Sequence, residues 1–356
     1  MKSKTVLVIL ACLVGLAFAL DVFVVAQQRG DGQRGGGQRG GQQEELPQPP
    51  APREYAVKEI PGVIAAGAKW QVAWQGTDNA DGPVGTPDGG IAVAQEQPST
   101  VGKLDKDDHF SILIRGTHGG GSLGIDRQGR IVAVERTCTD PGNAGRGITA
   151  PCTEPTKVTI LTPERRVLTD NFNGKPLGRL NDLVVSKLGV YFTSGGAYFV
   201  NWNGKTFSVD QDIRANGIAL NRAETVLYVT NGPVVMAYDI QSDGTTGNRR
   251  EFAKLEAGGN GDGSTIDSEG RLYVSSNPGL QVFSEQGKFL GLIPTPRSVM
   301  SAAFSGPDKK TLYSHASGAS LGPNGTEFRT PPGVRNNAKT ILKISMLSQG
   351  FKERAK

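Results

Sequence analysis

The chain has 356 residues, of which 49 are Gly, 37% are hydrophobic and 21% are charged. This glycine content is roughly twice the average share of about 7%; it lacks the three-residue period of collagen, and it predicts many tight turns. The scarcity of 3.6-residue apolar periodicity excludes an all-helical protein. The formal charge of +5, from 39 Lys and Arg against 34 Asp and Glu, is spread along the chain, so we expect no nucleic-acid partner.

The first predicted element is a secretory signal peptide over residues 1–26. Lys2 and Lys4 precede an apolar run that continues to Leu20, which is the pattern of a signal sequence. Two alternatives stay open. Ile9-Leu10-Ala11-Cys12 resembles a lipoprotein box, and the run could be an uncleaved anchor, although it is shorter than the roughly 20 residues that span a bilayer. We expect export to the periplasm or the extracellular space, with no membrane contact after signal cleavage.

The second predicted element is a flexible linker over residues 27–53. This segment consists mostly of Gly, Gln, Arg and Pro, and it has too few bulky apolar side chains to offset the entropy lost on ordering. Its Arg-Gly pairs also occur in RNA-binding tails. In an exported protein a tether is the favoured interpretation.

Two cysteines, Cys138 and Cys152, remain once the signal peptide is removed. An oxidising compartment favours a disulfide between them. In the chain-entropy model such a bridge contributes on the order of 3 kcal/mol to stability. A metal site built on the two cysteines is the alternative, but no His lies nearby to complete it.

The remaining residues, 54–356, are predicted to form an all-β, six-bladed β-propeller with a central metal-binding channel. A polar turn followed by a short β-type run recurs at steps of 40, 59, 37, 45 and 40 residues, and the long step contains the two cysteines. A period of about 40–45 residues with several short strands is typical of a propeller blade. The segment KTILKISML (339–347) is predicted to pair with residues 55–75 and close the ring. The six runs begin at Ile91, Ile131, Val190, Leu227, Leu272 and Leu312.

The innermost strand of each unit should start about ten residues before each run. Equivalent positions in a propeller face one channel, and at four of these six starts the residue is a short side chain with an oxygen donor. Two carboxylates and two carboxamides suit Ca²⁺, and less well Mg²⁺ or Mn²⁺. Each Asp-Gly or Asn-Gly pair alone is typical of a hairpin turn, but their recurrence in one register favours a shared metal site. The four candidate ligands are Asp81, Asn181, Asn216 and Asp262.

Four segments carry a resemblance to a known family. They are GRLNDLVVSKLGVYFTS, RANGIALNRAETVLYVTN, GDGSTIDSEGRLYVSSNPGLQVFSEQGKFLGLI and SAAFSGPDKKTLYSHA. In this order they resemble the gluconolactonase, senescence-marker-protein and luciferin-regenerating-enzyme-like family. The resemblance implies a six-bladed propeller with one divalent metal, Ca²⁺ or Zn²⁺, in the channel. It also implies hydrolysis of sugar lactones or related esters.

The resemblance also assigns roles by position. Asn216 and Asp262 match the family's metal-ligand Asn and Asp. Asn181 matches an Asn that binds the metal or contacts the substrate, and Arg179 matches an Arg that precedes it in some members. The family's first ligand is a Glu in the motif E-G-P-V-W. Here Asp81 opens the corresponding D-G-P-V-G, so the carboxylate is one methylene shorter and the Trp is lost.

These observations predict an exported, gluconolactonase-like enzyme that acts on a small lactone or ester, with a metal-activated water attacking the lactone carbonyl. Asp262 is expected to act as general base, and Arg179 to orient the substrate or the oxyanion. His118 and His315 are candidates to line the channel. Hydrolysis of phosphotriesters or aryl esters at the same site stays open, as does a non-catalytic binding propeller stabilised by its metal.

Overall fold

The computed structural model describes residues 48–49, 51–76, 80–136, 154–321, 326–330 and 336–353. Across these ranges the chain forms twenty-four β-strands and no α-helix, which confirms the all-β prediction. None of these residues forms a helix with the length and hydrophobicity that a membrane span requires. The predicted signal peptide, most of the predicted linker, and Cys138 and Cys152 with their predicted disulfide lie outside the described residues.

The chain first forms β1 (Gln71–Gly76) and then two four-stranded sheets, in which neighbouring strands run antiparallel. The first of these two sheets contains β2 (Asp81–Gly85), β3 (Ile91–Gln95), β4 (Thr100–Leu104) and β5 (Phe110–Arg115). The second contains β6 (Gly120–Ile125), β7 (Ile131–Glu135), β8 (Lys157–Ile160) and β9 (Arg166–Thr169). A short hairpin follows, made of β10 (Asn171–Phe172) and β11 (Lys175–Pro176).

A six-stranded sheet occupies the middle of the chain. Its strands are β12 (Leu183–Val185), β13 (Gly189–Asn201), β14 (Thr206–Leu220), β15 (Val226–Asn231), β16 (Val234–Ile240) and β17 (Thr246–Lys254). The next four-stranded sheet contains β18 (Ser264–Ile266), β19 (Leu272–Ser276), β20 (Gly279–Phe283) and β21 (Phe289–Pro294). The last contains β22 (Val299–Ser305), β23 (Thr311–Ser317) and β24 (Lys339–Ser345), with β1 paired to the outer side of β24.

The pairing of β1 with β24 joins the two ends of the described chain. Gln71 is opposite Lys343 and Gly76 is opposite Lys339 in this antiparallel pair. The predicted closure of residues 339–347 onto the segment 55–75 is therefore confirmed. The closure leaves the last sheet with four strands, three from the end of the chain and one from its beginning.

The first strands of the units contact one another in a closed ring. Strand β2 contacts β6, β6 contacts β12, β12 contacts β14, β14 contacts β18, β18 contacts β22, and β22 contacts β2. Apolar side chains fill the spaces between neighbouring sheets. For example, Val84 and Ala94 of the first four-stranded sheet pack with Leu123 and Ala133 of the second. Burying a Val or Leu side chain contributes about 1.5–3 kcal/mol, so these layers hold the ring together.

The prediction of six separate blades is corrected by the structure. Four sheets have four strands each, whereas the third and fourth predicted units share one six-stranded sheet. The reason is the continuity of β14, which pairs with β13 through its first half and with β15 through its second half. No turn interrupts this strand where one unit should end and the next begin.

Close contact between first strands explains why a glycine follows three of the four candidate ligands. A Cβ on Gly217 would collide with the carbonyl oxygen of Asp262, and a Cβ on Gly82 or Gly263 would collide with the neighbouring Ser122 or Ser301. These glycines lie in or directly before strands of the ring and not in hairpin turns. The hairpin interpretation of the Asp-Gly and Asn-Gly pairs is therefore wrong. Their role is to let neighbouring strands approach.

Replacing Gly217 with Ala tests this role. The added methyl group has no room against the Asp262 backbone, so Gly217→Ala should lower the free energy of unfolding by about 1–3 kcal/mol, the usual cost of overpacking. Gly247→Ala is the matched control, because the nearest atom to a Cβ there is Gln241 Nε2 at 3.9 Å. Urea unfolding of both variants measures the difference. Equal stability of the two variants would contradict the proposed packing.

Candidate metal centre

The four predicted ligands lie on four strands or strand starts of the ring. Asp81 begins β2, Asn181 and Asp262 lie two residues before β12 and β18, and Asn216 lies within β14. The Nδ2 group of Asn181 donates a hydrogen bond to Oδ1 of Asn216. The charge of Asp81 acts on Asp262 across the ring. The structure thus places all four predicted residues on the ring and joins Asn181 directly to Asn216.

The two carboxyl groups are short of positive charge. Burial raises the pKa of Asp262 well above its ordinary value, and the nearby charges of Asp81 and Asp182 raise it further. Burial also raises the pKa of Asp81, although the charge of Arg136 opposes this shift. Each carboxylate accepts one backbone hydrogen bond from the residue that follows it. Asp81 accepts from the N–H of Gly82 at 2.8 Å, and Asp262 accepts from the N–H of Gly263 at 3.0 Å. A divalent cation is the kind of partner that this donor set fits.

An ion pair that sequence analysis missed lies beside these groups. The side chains of Arg136 and Glu96 are 4% and 3% exposed, and Arg136 Nη1 donates to Glu96 Oε2 at 2.9 Å. Arg136 also donates to the carbonyl oxygen of Leu180 at 2.6 Å and to Oδ1 of Asn181 at 2.8 Å. Its Nη2 lies 4.0 Å from Asp81 Oδ2. A buried guanidinium therefore supplies part of the counter-charge at the centre.

The same contacts limit what Asn181 can do. Its carboxamide oxygen accepts from Arg136 and its carboxamide nitrogen donates to Asn216, so both ends of the group are engaged within the protein. In this arrangement Asn181 positions its neighbours, and the two aspartates remain the strongest candidates to hold a cation.

Arg179, the predicted substrate-binding residue, is far more exposed than Arg136. Its side chain is 57% exposed, and its Nη2 lies 3.1 Å from Glu96 Oε1. One buried carboxylate, Glu96, is thus shared by a buried guanidinium and an exposed one. This arrangement fixes the head of Arg179 while leaving its remaining donors to solvent.

The two candidate histidines occupy different environments. His315 lies in β23 with a fully buried side chain, and its Nδ1 is 3.9 Å from Asp81 Oδ1. Burial, together with the charge of Lys339, lowers the pKa of His315 to about 3, so its ring is neutral. His118 lies in the segment before β6, and its side chain is 40% exposed. Its Nδ1 is 3.9 Å from Oε2 of Glu154. The structure places only His315 against a predicted ligand.

A second buried carboxylate network ties the ring strands together. Asp182 accepts a hydrogen bond from Ser122 Oγ at 2.6 Å and from the backbone N–H of Ile218 at 3.2 Å. These contacts join β6 and β14 to the start of β12. The charge of Asp182 also raises the pKa of Asp262, so the network adds to the crowding of negative charge.

Another group of potential ligands lies away from the first strands. Asp105, Asp107 and His109 have donor atoms within 4.8 Å of one another in the exposed turn between β4 and β5. Oδ1 of Asp105 accepts the backbone N–H groups of Asp107 and His109. This local hydrogen bonding is the ordinary chemistry of an Asx turn. The turn geometry therefore accounts for the cluster.

A propeller-like ring of antiparallel sheets with polar side chains at its first strands is the architecture of a known class of all-β proteins. The family model described as the SMP-30/gluconolactonase/LRE-like region matches residues 116–317, more than half of the chain. The chain therefore belongs to the SMP-30/gluconolactonase/LRE-like family, as its motifs predict.

Individual relatives agree with this assignment. A gluconolactonase from Zymomonas mobilis is 31% identical over 193 residues, which cover 45% of this chain and 54% of that protein. The match thus spans about half the length of this relative. A gluconolactonase structure from Xanthomonas campestris has a TM-score of 0.63 at 20% identity, covering 85% of this chain and 98% of that one. A calcium-binding regucalcin structure from Agrobacterium tumefaciens has a TM-score of 0.60 at 15% identity, covering 80% and 95%. These structures share the fold.

The raised pKa of Asp262 predicts a specific dependence of stability on pH. The native state retains this proton above the unfolded pKa of 3.8, so unfolding releases it and the site loses stability as pH rises toward the native pKa. Without divalent ions, Asp262→Asn should therefore gain stability relative to the parent protein as pH rises above about 4. Urea unfolding in chelator at several pH values measures this difference.

Asp88→Asn is the matched control for this experiment. The ion pair with Lys103 lowers the pKa of Asp88 to about 2, so its shift has the opposite sign. The relative stability of this variant should not rise with pH. If Asp262→Asn lowered the free energy of unfolding by the same amount at every pH, the negative charge of Asp262 would not destabilise the folded protein, and the prediction would be wrong.

Proposed function

We propose that the protein is an exported, metal-dependent hydrolase of lactones. The observation that carries the proposal is the convergence of Asp81 and Asp262, both with raised pKa values, on the first strands of the ring. Membership of the family and the similarity to a gluconolactonase support the reaction type. The signal-like residues 1–26 support export to the periplasm or the extracellular space.

We place the metal in the channel that the six first strands surround. Asp81 and Asp262 would hold it, with Asn216 as a further oxygen donor. These oxygen donors alone favour Ca²⁺ over Mg²⁺, Mn²⁺ or Zn²⁺, and a calcium-binding protein is among the structural neighbours. When bound, a divalent ion supplies a Lewis acid that polarises a lactone carbonyl and acidifies water.

The chain's own residues supply the remaining chemistry. Asp262 is a buried carboxylate beside the proposed ion, and in this role it would accept a proton from the attacking water. Arg179 presents free donors at an exposed position and is held there by Glu96, which suits it to orient the substrate or to stabilise the developing oxyanion. Arg136 holds Asn181 in place and keeps the charge of Glu96 compensated.

The test combines metal analysis with an assay of lactone hydrolysis. We expect the purified protein to contain one divalent ion per chain, to lose hydrolysis of glucono-1,5-lactone on chelation, and to recover it when Ca²⁺ or Zn²⁺ is added. Asp262→Asn should lower kcat by about 10²-fold or more, the usual contribution of a general base. Proton release at constant pH measures the rate.

Asp105→Asn is the control, because Asp105 belongs to the exposed acidic turn and should leave both metal content and rate unchanged. Full turnover by Asp262→Asn with metal bound would make Asp262 a ligand only. A bound ion without hydrolysis of lactones, phosphotriesters or aryl esters would contradict an enzyme and favour a metal-stabilised binding propeller.

A further inference from the structure

His315 is a buried polar side chain whose hydrogen-bonding capacity the protein does not use. Its Nδ1 and Nε2 atoms are both buried, and neither has a hydrogen-bond partner among the described residues. A buried polar atom without a partner costs about 1–3 kcal/mol, so such atoms mark positions where a ligand is accommodated. Imidazole is the commonest nitrogen ligand of metals in proteins.

The distance between His315 and Asp81 suits two ligands of one ion. Nδ1 of His315 and Oδ1 of Asp81 are 3.9 Å apart, which is too far for a hydrogen bond. Two donors that each lie about 2.1 Å from one tetrahedral ion are roughly 3.4 Å apart. The observed separation is about half an ångström longer, so the pair is close enough to share an ion after a small adjustment.

The neighbourhood of this pair points to the same place. Ser301 lies opposite His315 in the pairing of β22 with β23, and its buried hydroxyl has no hydrogen-bond partner in the part of the chain that the structure describes. Ser301 packs against Gly263, the residue that follows Asp262. His315 therefore lies beside Asp81 and next to the strand that packs against the residue after Asp262, and the charge of Asp81 reaches Asp262.

The number and charge of these donors favour one kind of ion. Ca²⁺ takes 6–8 oxygen ligands, more than Asp81, Asp262 and Asn216 supply. Two carboxylates and one imidazole balance a divalent charge, and a small set of mixed nitrogen and oxygen ligands is typical of zinc sites.

We propose that His315 is a nitrogen ligand of the ion held by Asp81 and Asp262, and that the site therefore prefers Zn²⁺ or a similar transition metal to Ca²⁺. The inference rests on the metal site of the proposed function. It adds a ligand that the oxygen-donor motif does not contain, and it changes the expected metal from a hard cation to a borderline one.

The test measures metal affinity directly, without reference to turnover. The chelator-stripped full chain, His315→Gln and His118→Gln are each titrated with Zn²⁺ and with Ca²⁺ in competition with a chromophoric chelator. We expect His315→Gln to weaken Zn²⁺ binding by at least about 10-fold, since even outer partners of metal ligands contribute 10–100-fold, and to change Ca²⁺ binding by much less. His118→Gln, an exposed control, should change neither affinity.

A measurement on the unmutated protein covers the case in which His315→Gln does not fold. The chain has only three histidines, so their ring nitrogens can be followed individually by NMR. Zn²⁺ should shift a ring nitrogen of His315 and leave His109 and His118 unchanged. An unshifted His315, or equal Zn²⁺ affinity in the parent protein and a folded His315→Gln, would overturn the inference.

The outcomes separate this inference from the proposed function. A protein that binds metal and hydrolyses lactones, but whose Zn²⁺ affinity does not depend on His315, keeps the proposed function and loses the inference. A protein in which His315 coordinates the metal, but which does not hydrolyse lactones, keeps the inference and loses the proposed function. A parent protein that binds neither ion contradicts both.

Discussion

Several carboxyl groups lie close together where the first strands of the ring meet. The repulsion between their negative charges is the constraint on which the rest of the candidate site depends. The charges of Asp81 and Asp182 raise the pKa of Asp262, and the charge of Asp182 raises the pKa of Asp81. Close strand contact, made possible by Gly217 and similar glycines, keeps these carboxyl groups from separating. Some positive partner is therefore needed, and the protein supplies it only in part.

Arg136 is the positively charged residue that the protein itself places beside these carboxyl groups. It compensates Glu96 and holds Asn181, and it lies close to Asp81. Removing one partner from a buried ion pair of this kind costs about 3–5 kcal/mol, because the other charge is left uncompensated. Arg136 thus holds neighbouring residues of the candidate site in position and also offsets part of their negative charge. Among the described residues, Asp262 has no cationic side chain within hydrogen-bond distance, and this difference is why we assign both the proposed metal and the proposed base role to it.

Sequence patterns predicted the positions of the ring strands better than the boundaries of the sheets. The recurring runs located the first strands, because a propeller repeats one register in every unit, and that register placed Asp81, Asn181, Asn216 and Asp262 in or just before strands of the ring. The joining of two units into a six-stranded sheet was not predictable. It depends on the uninterrupted backbone of β14, and a continuous strand and a short turn can share the same local composition.

The Glu96–Arg136 pair illustrates a different gap between sequence and structure. Both residues directly follow the second strand of a unit, Glu96 after β3 and Arg136 after Glu135 at the end of β7. Opposite charges at equivalent positions of neighbouring repeats could have suggested an ion pair from the sequence. Whether the two side chains make contact, however, depends on how the two units pack. The proximity of His315 to Asp81 likewise brings β23 next to β2; these strands are far apart in sequence and adjacent only because the ring closes.

The central claim is that the carboxylates of the first strands hold one divalent ion. Diffraction from crystals grown with Mn²⁺, which carboxylate oxygens accept, tests it most directly through the anomalous signal of the metal. The account predicts one strong peak in contact with Asp81 and Asp262. A peak only at the exposed turn of Asp105, Asp107 and His109, or no peak at all, would contradict it.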